Sequence, residues 1–319
     1  MHIFKGNNFS EIYFNALKFA IKSDIQVTSS RNGAVKDLGP AFFEIDGDCF
    51  RMPLLHKRRF NPYFALTEFS WFITGSNDLL PLQHYIKNYK KYSDDGSTLF
   101  GAYGYRLRNK FSTDQIQATI DMLKDKPDTR RAVLTIWSIE DLGKDSKDIP
   151  CNTSIMFKIR AGKLDMTVIN RSNDLFLGIP YNVLMFYLLQ CYIAKEIGIE
   201  VGFQRHFSDS LHLYEQNIKA VENILNHNSL EEIRKVYSEL VPSSIEQYLN
   251  LPHHDIIELK FENIRNNDYE NFFNSYIMLG EGEDKERIIE ILPKDLLGYS
   301  AYLWLTGTEN DNTKLSFIT

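Results

Sequence analysis

The spacing of apolar and polar positions changes period several times along the chain. Residues 10–22 repeat at helical spacing, with Ser10 as a fair N-cap. Residues 42–52 alternate apolar with polar and predict a strand. Residues 63–74 follow Asn61-Pro62, stop before Gly75 and are mostly apolar. They predict a buried helix carrying one acid, Glu68, in its middle. After the turn Lys126-Pro127-Asp128, a strand is expected over 131–137. Residues 154–160 and 163–170 alternate with period two on either side of Ala161-Gly162, a hairpin signal. Pro180 opens a long apolar helix over 181–197, and Gly198 closes it. From about residue 215 the chain is charged and helix-rich, with one late strand expected over 255–261.

This order lacks a regular strand–helix alternation, and it contains neither GxGxxG nor a P-loop. It predicts an α+β fold of helices layered on a mixed sheet, not a doubly wound dinucleotide-binding sheet. Residues 1–319 are expected to form a single domain, with 215–319 as a divergent helix-rich part of it.

Composition narrows the picture. Hydrophobic residues make up 43% of the 319 positions and charged residues 24%, an ordinary balance for a globular core that needs no disulfide staples. The three cysteines, Cys49, Cys151 and Cys191, form no CxxC pair. That argues for a reducing compartment and against a structural metal site. The first residues show no apolar signal core, and no stretch nears the roughly 18 apolar residues of a membrane span. A cytoplasmic protein is expected. The net charge of -6 weighs against a general nucleic-acid binder, but it leaves room for a small anion held by a few local arginines.

The densest chemistry lies between residues 148 and 186. Cys151 directly follows Pro150, which stiffens its backbone. Taken alone, a lone cysteine is usually an inert buried hydrophobe. If the two alternating segments pair as a hairpin, however, Arg171 and Ser172 emerge at the end where Cys151 begins. A guanidinium beside a thiol favours the nucleophilic thiolate. Arg171 and Ser172 also supply donors suited to phosphate, and Arg130 and Arg131 add two further guanidiniums. Asp174 and Asn182 flank Gly178, where backbone can approach a ligand closely. Singly, each arginine reads as a surface charge; together they read as an anion site.

Several stretches in order resemble the thymidylate synthase family. They are Arg31-Asn32-Gly33, Glu68 to Gly75, Tyr103-Gly104, Asp128-Thr129-Arg130-Arg131, Pro150-Cys151, Arg171 to Asn182, and His212-Leu213-Tyr214. They span roughly residues 10–217. The resemblance implies a homodimer joined through a kinked mixed sheet, with a pyrimidine nucleotide and 5,10-methylenetetrahydrofolate as substrates and no metal. It implies that Cys151 adds to C6 of the pyrimidine, so that C5 becomes nucleophilic. Glu68 would handle protons through water, and Tyr103 would assist proton removal at C5. Arg31, Arg171 and Ser172 would hold the phosphate, with Arg130 and Arg131 reaching over from the partner subunit. His212 and Tyr214 would bind the sugar hydroxyl, and Asn182 would read the base edge. Asp174, Leu177, Gly178 and Tyr181 would line the folate side.

The chain also departs from the family pattern. Asn152 follows the nucleophile where histidine is usual, Met156 stands where glutamine is usual, and Ser210 replaces an aspartate. Tyrosines in Tyr89-Lys90-Lys91-Tyr92 stand where a shielding tryptophan is usual, and the residues after Tyr214 do not match the family's folate-closing tail. These changes favour capture of the one-carbon intermediate by water over reduction by hydride. Asn182 can offer both a donor and an acceptor, which suits uracil. The expected activity is therefore 5-hydroxymethylation of dUMP. The alternatives are a thymidylate synthase, a dCMP or CMP hydroxymethylase, and a non-catalytic nucleotide- or RNA-binding relative.

Overall fold

In this computed structural model, residues 1–30, 33–47, 49–243, 245–265 and 267–307 are described. Seven strands form one sheet: β1 (His2–Gly6), β2 (Val27–Ser30), β3 (Gly33–Ile45), β4 (Val133–Thr135), β5 (Asn152–Arg160), β6 (Lys163–Asp174) and β7 (Glu200–Tyr214). Their order is β1-β3-β7-β6-β5-β4, with β2 paired to β3. β1 runs parallel to β3 and β6 parallel to β7, while the other pairs are antiparallel. This is the mixed sheet the pattern predicts. Register shifts in β3–β7, β5–β6 and β6–β7 put bulges into three ladders, the devices that bend a sheet.

The helices are α1 (Phe9–Lys22), α2 (Pro62–Ile73), α3 (Leu80–Tyr85), the short turn α4 (Tyr103–Tyr105), α5 (Gln115–Asp125), α6 (Ile179–Ile197), α7 (Ile218–Asn226), α8 (Leu230–Glu239), α9 (Ile245–Tyr248), α10 (His253–Ile257), α11 (Asn267–Glu281), α12 (Lys285–Ile291) and α13 (Leu296–Thr306). None of the described helices is long and apolar enough to cross a membrane.

Local chemistry sets most boundaries. The hairpin forms because Ala161 and Gly162 both take positive φ, 49° and 75°, which suits a tight two-residue turn. Gly198 ends α6 at φ 73°, a left-handed position that glycine adopts without steric cost. Asn61 caps α2 by accepting from the Phe64 N–H, and Pro62 occupies its first turn. Helix α1 starts earlier than expected. Asn8 caps it by accepting from the Glu11 N–H, while Ser10 is buried inside and accepts from the Leu54 N–H at 2.8 Å.

Two expected strands differ. The alternation at 42–52 is the end of the longer β3, whose pairing stops at Ile45. Residues 255–261 form no strand; they carry the end of α10 and the start of the 3-10 turn Phe261–Asn263. Ile256 and Phe261 are buried, with α10 packed on α2, so tertiary contact overrides the alternation.

Two apolar clusters pack side by side on one face of the sheet, where Phe43 of one and Val168 of the other both pair with His206. One joins α2, α5 and α6 to the later helices, where Tyr63 stacks on Phe272 at 4.4 Å and its hydroxyl lies 2.6 Å from that of Ser275. The other packs α1, α7 and α8 against β3 and β7. The remaining sheet face carries register-matched residues Phe42, Phe207 and Ile169, all half-buried, with Phe203 and Val133 exposed nearby.

Candidate active site

The site assembles where the loop before β5 meets the ends of β6 and β7. Arg171, on β6, grips that loop: its Nε donates to the Pro150 carbonyl at 2.9 Å and an Nη to the Ile149 carbonyl at 3.2 Å. Its backbone N–H donates to the Cys151 carbonyl at 3.0 Å. The same guanidinium reaches the Cys151 sulfur at 3.9 Å and lies 5.5 Å over the Trp137 ring. The predicted juxtaposition of thiol and guanidinium is therefore present. Cys151 is half-buried, whereas Cys49 and Cys191 are buried.

Tyr103 closes one side. Its hydroxyl accepts from the backbone N–H groups of Cys151 and Asn152. Burial, and then the charges of Cys151 and Asp148, hold its phenol well above the ordinary tyrosine range. The turn can sit so close to α2 because residue 104 is glycine: a Cβ there would lie 1.9 Å from the Phe72 carbonyl oxygen. Below the thiol, Asn152 is buried and donates to the Asn170 side chain, which donates on to the Phe207 carbonyl.

Every residue of α2 is buried except Glu68, which is half-buried. Burial lifts its carboxyl from the usual 4.5 to about 8. The acid is thus mostly protonated at neutral pH. It acts electrostatically on the phenols of Tyr89 and Tyr181, so it faces the same side as Tyr103.

At the other end, the Ser172 hydroxyl lies 3.3 Å from His212 Nδ1, because β6 and β7 run parallel with Ser172 beside Ser210 and Asp174 beside His212. Tyr214 meets the His212 ring edge-on at 5.3 Å. Asp174 Oδ1 accepts from the N–H groups of Phe176 and Leu177, and burial still raises its carboxyl above the ordinary range. Gly178 donates its N–H to the Asp174 carbonyl, and a Cβ there would crowd Asn173 Oδ1 at 2.8 Å. Asn182, in the first turn of α6, donates to Asn173 Oδ1 at 3.3 Å. Leu177 is 49% exposed. Tyr181 stacks on Phe60 at 4.5 Å and accepts from the Asn61 N–H, so its hydroxyl is engaged in holding the start of α2.

Two expected residues stand apart, and a third is not described. Arg31 lies outside the described residues. Arg130 and Arg131 are exposed just before β4, which pairs antiparallel with β5. Arg130 neighbours Lys158, seven residues along β5 from Cys151, which is roughly 20 Å at strand rise. No local sequence pattern points to Asp37 or Asp148. Asp37 Oδ2 accepts from the Ser210 hydroxyl at 3.0 Å, supplying from β3 a carboxylate where Ser210 has none. Its signal is strand register, which no local pattern reveals.

The family profile described as thymidylate synthase matches residues 13–273. The chain belongs to the thymidylate synthase family. Within that family it is similar to a deoxyuridylate hydroxymethyltransferase of Pseudomonas phage M6, with 42% identity over 168 residues covering 52% of this chain and 48% of the relative. A protein of the same name from Bacillus phage SP01 is 34% identical over 250 residues, covering 74% of this chain and 63% of the relative. A thymidylate synthase of Corynebacterium aurimucosum is 30% identical over 185 residues, covering 56% of this chain and 69% of the relative. The chain thus spans about half to under two thirds of the length of the two phage relatives.

Proposed function

We propose that the chain transfers a one-carbon unit to C5 of dUMP and releases 5-hydroxymethyl-dUMP. The observation that carries this is the Cys151 sulfur 3.9 Å from the Arg171 guanidinium, in a chain that also carries a carboxyl, Glu68, largely neutral at neutral pH. The likeness to two proteins named deoxyuridylate hydroxymethyltransferase supports both the base and the product.

Cys151 adds as thiolate to C6, and the electron pair moves onto C5. Tyr103, hydrogen-bonded at the thiol's own backbone, assists loss of the C5 proton. Glu68 exchanges protons with the base through water. Ser172 and Arg171 hold the phosphate, together with Arg31, and His212 and Tyr214 receive the sugar. Asn182 spends one amide proton on Asn173, which leaves its other proton and its carbonyl for the O4 and N3–H edge of uracil.

Methylenetetrahydrofolate would supply the one-carbon unit. The residues fit a flat, partly apolar ligand: exposed Leu177 forms a lip, the Tyr181–Phe60 stack a wall, and Gly178 a close backbone approach. Asp174 has a second carboxylate oxygen with no hydrogen-bond donor among the described residues, and it is available to that ligand.

A homodimer through the face bearing Phe42, Phe207 and Ile169 completes the reading. Arg130 and Arg131, far from the thiol of their own protomer, would reach the partner's phosphate site. A cytoplasmic setting suits a catalytic thiol that must stay reduced.

The test incubates the protein with methylenetetrahydrofolate and dUMP, dCMP, UMP or CMP and weighs the products. A hydroxymethyl gain on dUMP alone is expected. A methyl gain with dihydrofolate would instead make the chain a thymidylate synthase. Cys151→Ala should bind dUMP and turn nothing over, and mixing it with Arg131→Ala protomers should restore part of the activity.

A further inference from the structure

The mechanism leaves one carboxylate beside the thiol unused. Asp148 stands three residues before Cys151, on the loop whose Ile149 and Pro150 carbonyls Arg171 grips. Its Oδ2 accepts from the Gly101 N–H at 2.7 Å. The fit is close: a Cβ on residue 101 would come within 3.0 Å of the Asp148 carboxyl group and 2.7 Å of its backbone oxygen. The side chain is therefore set in place at the boundary between the thiol loop and the segment leading to Tyr103. Its charge acts on both Tyr103 and Tyr89; Cys151 acts on the first of these phenols and Glu68 on the second. Tyr89 stands among the tyrosines that replace the family's shielding tryptophan. A phenol there can hydrogen-bond a water, which an apolar indole face cannot. A carboxylate flanked by two phenols is a setting that binds and orients water.

Resting on the dUMP reading above, we infer that Asp148 is the base that delivers water to the one-carbon intermediate and so decides between hydroxymethyl and methyl products. In that step the nucleotide carries Cys151 on C6 and a methylene doubly bonded to C5. Water oxygen bonds to the methylene carbon, its proton passes to the Asp148 carboxylate, and the C5–methylene π pair moves toward C4 as an enolate. The enolate then re-forms C5=C6 and expels the Cys151 thiolate, so no reductant is consumed. Glu68 is unsuited to this role at neutral pH because its carboxyl already holds a proton.

The reverse half of this step can be read without any carbon donor. The protein is incubated with 5-hydroxymethyl-dUMP in ¹⁸O water, and label entry at the hydroxyl is followed by mass spectrometry. In parallel, deuterium entry at C5 of dUMP is measured in D₂O with tetrahydrofolate, which reports thiol addition and C5 proton exchange without water transfer. Asp148→Asn keeps the acceptor for Gly101. It is expected to lower the ratio of ¹⁸O entry to deuterium entry at least tenfold, and Asp148→Glu to restore part of it. An unchanged ratio, or equal loss of both signals, would overturn the inference, the latter by making Asp148 a support for the loop. Wild-type protein that exchanges deuterium but not ¹⁸O would also overturn it while leaving the thiol chemistry standing. Wild-type protein that shows neither would remove the dUMP reading itself.

Discussion

Replacing Glu68 by glutamine should change how stability depends on pH. The carboxyl rises from 4.5 in the unfolded chain to about 8 in the fold, and burial is the cause. The sign follows from proton binding. Between these two values the folded protein keeps a proton that the unfolded chain has lost, so stability falls as pH rises through that window. At about 1.4 kcal/mol per pH unit, keeping a proton that the unfolded chain has released lowers stability by about 3 kcal/mol at pH 7, and the loss levels off at about 5 kcal/mol by pH 9, where Glu68 ionises in the fold as well. Glutamine has nearly the same shape and no charge to bury. Urea unfolding midpoints of wild type and Glu68→Gln, measured from pH 4 to pH 9, should therefore diverge, with the variant gaining several kcal/mol relative to wild type as the solution becomes alkaline. Parallel curves would show that Glu68 ionises freely in the fold. The argument that it serves as a neutral acid at pH 7 would then fail, and with it the expected decline of turnover above about pH 8.

Three other substitutions test the frame around the thiol. Arg171→Lys cannot span the Pro150 and Ile149 carbonyls together, so it should cost about 1–3 kcal/mol in thermal unfolding and slow iodoacetamide alkylation of Cys151. Gly104→Ala would drive a methyl into the Phe72 carbonyl, and it should either prevent folding or cost more than about 3 kcal/mol, read by circular dichroism. Asp141→Asn should lower stability by about 3–5 kcal/mol in a urea titration, because it leaves the fully buried Arg106 guanidinium without its bidentate partner.

Features governed by neighbouring residues were legible in the sequence. The Ala161-Gly162 turn, the Pro62 and Pro180 helix starts and the Gly198 stop each depend on a backbone preference carried by one or two residues. The pairing of Cys151 with Arg171 was legible for the same reason: a tight hairpin fixes which residues lie side by side at its open end. Where an outcome depended on distant chain, the pattern misled. Residues 255–261 alternate like a strand, yet they form the end of α10, which packs on α2, and a 3-10 turn. Ser10 has the side chain of a cap, but Asn8 takes that place and Ser10 bonds Leu54 instead. Asp37 supports Ser210 only through the β3–β7 register.

The same side chains hold the fold and set up the chemistry. Arg171 bonds two loop carbonyls and also lies within reach of the Cys151 sulfur, so the loop cannot loosen without moving the cation away from the thiol. The Tyr103 hydroxyl sits on the N–H groups of Cys151 and Asn152, and it is there only because Gly104 lets its turn press against α2. Glu68 owes its raised carboxyl to a helix whose other residues are all buried. Each device rests on packing that also carries stability. A mutation that reduces turnover here is therefore informative only when unfolding is measured beside it: a fall in rate that exceeds what the unfolded fraction accounts for reports lost chemistry, and a fall that the unfolded fraction explains reports lost packing.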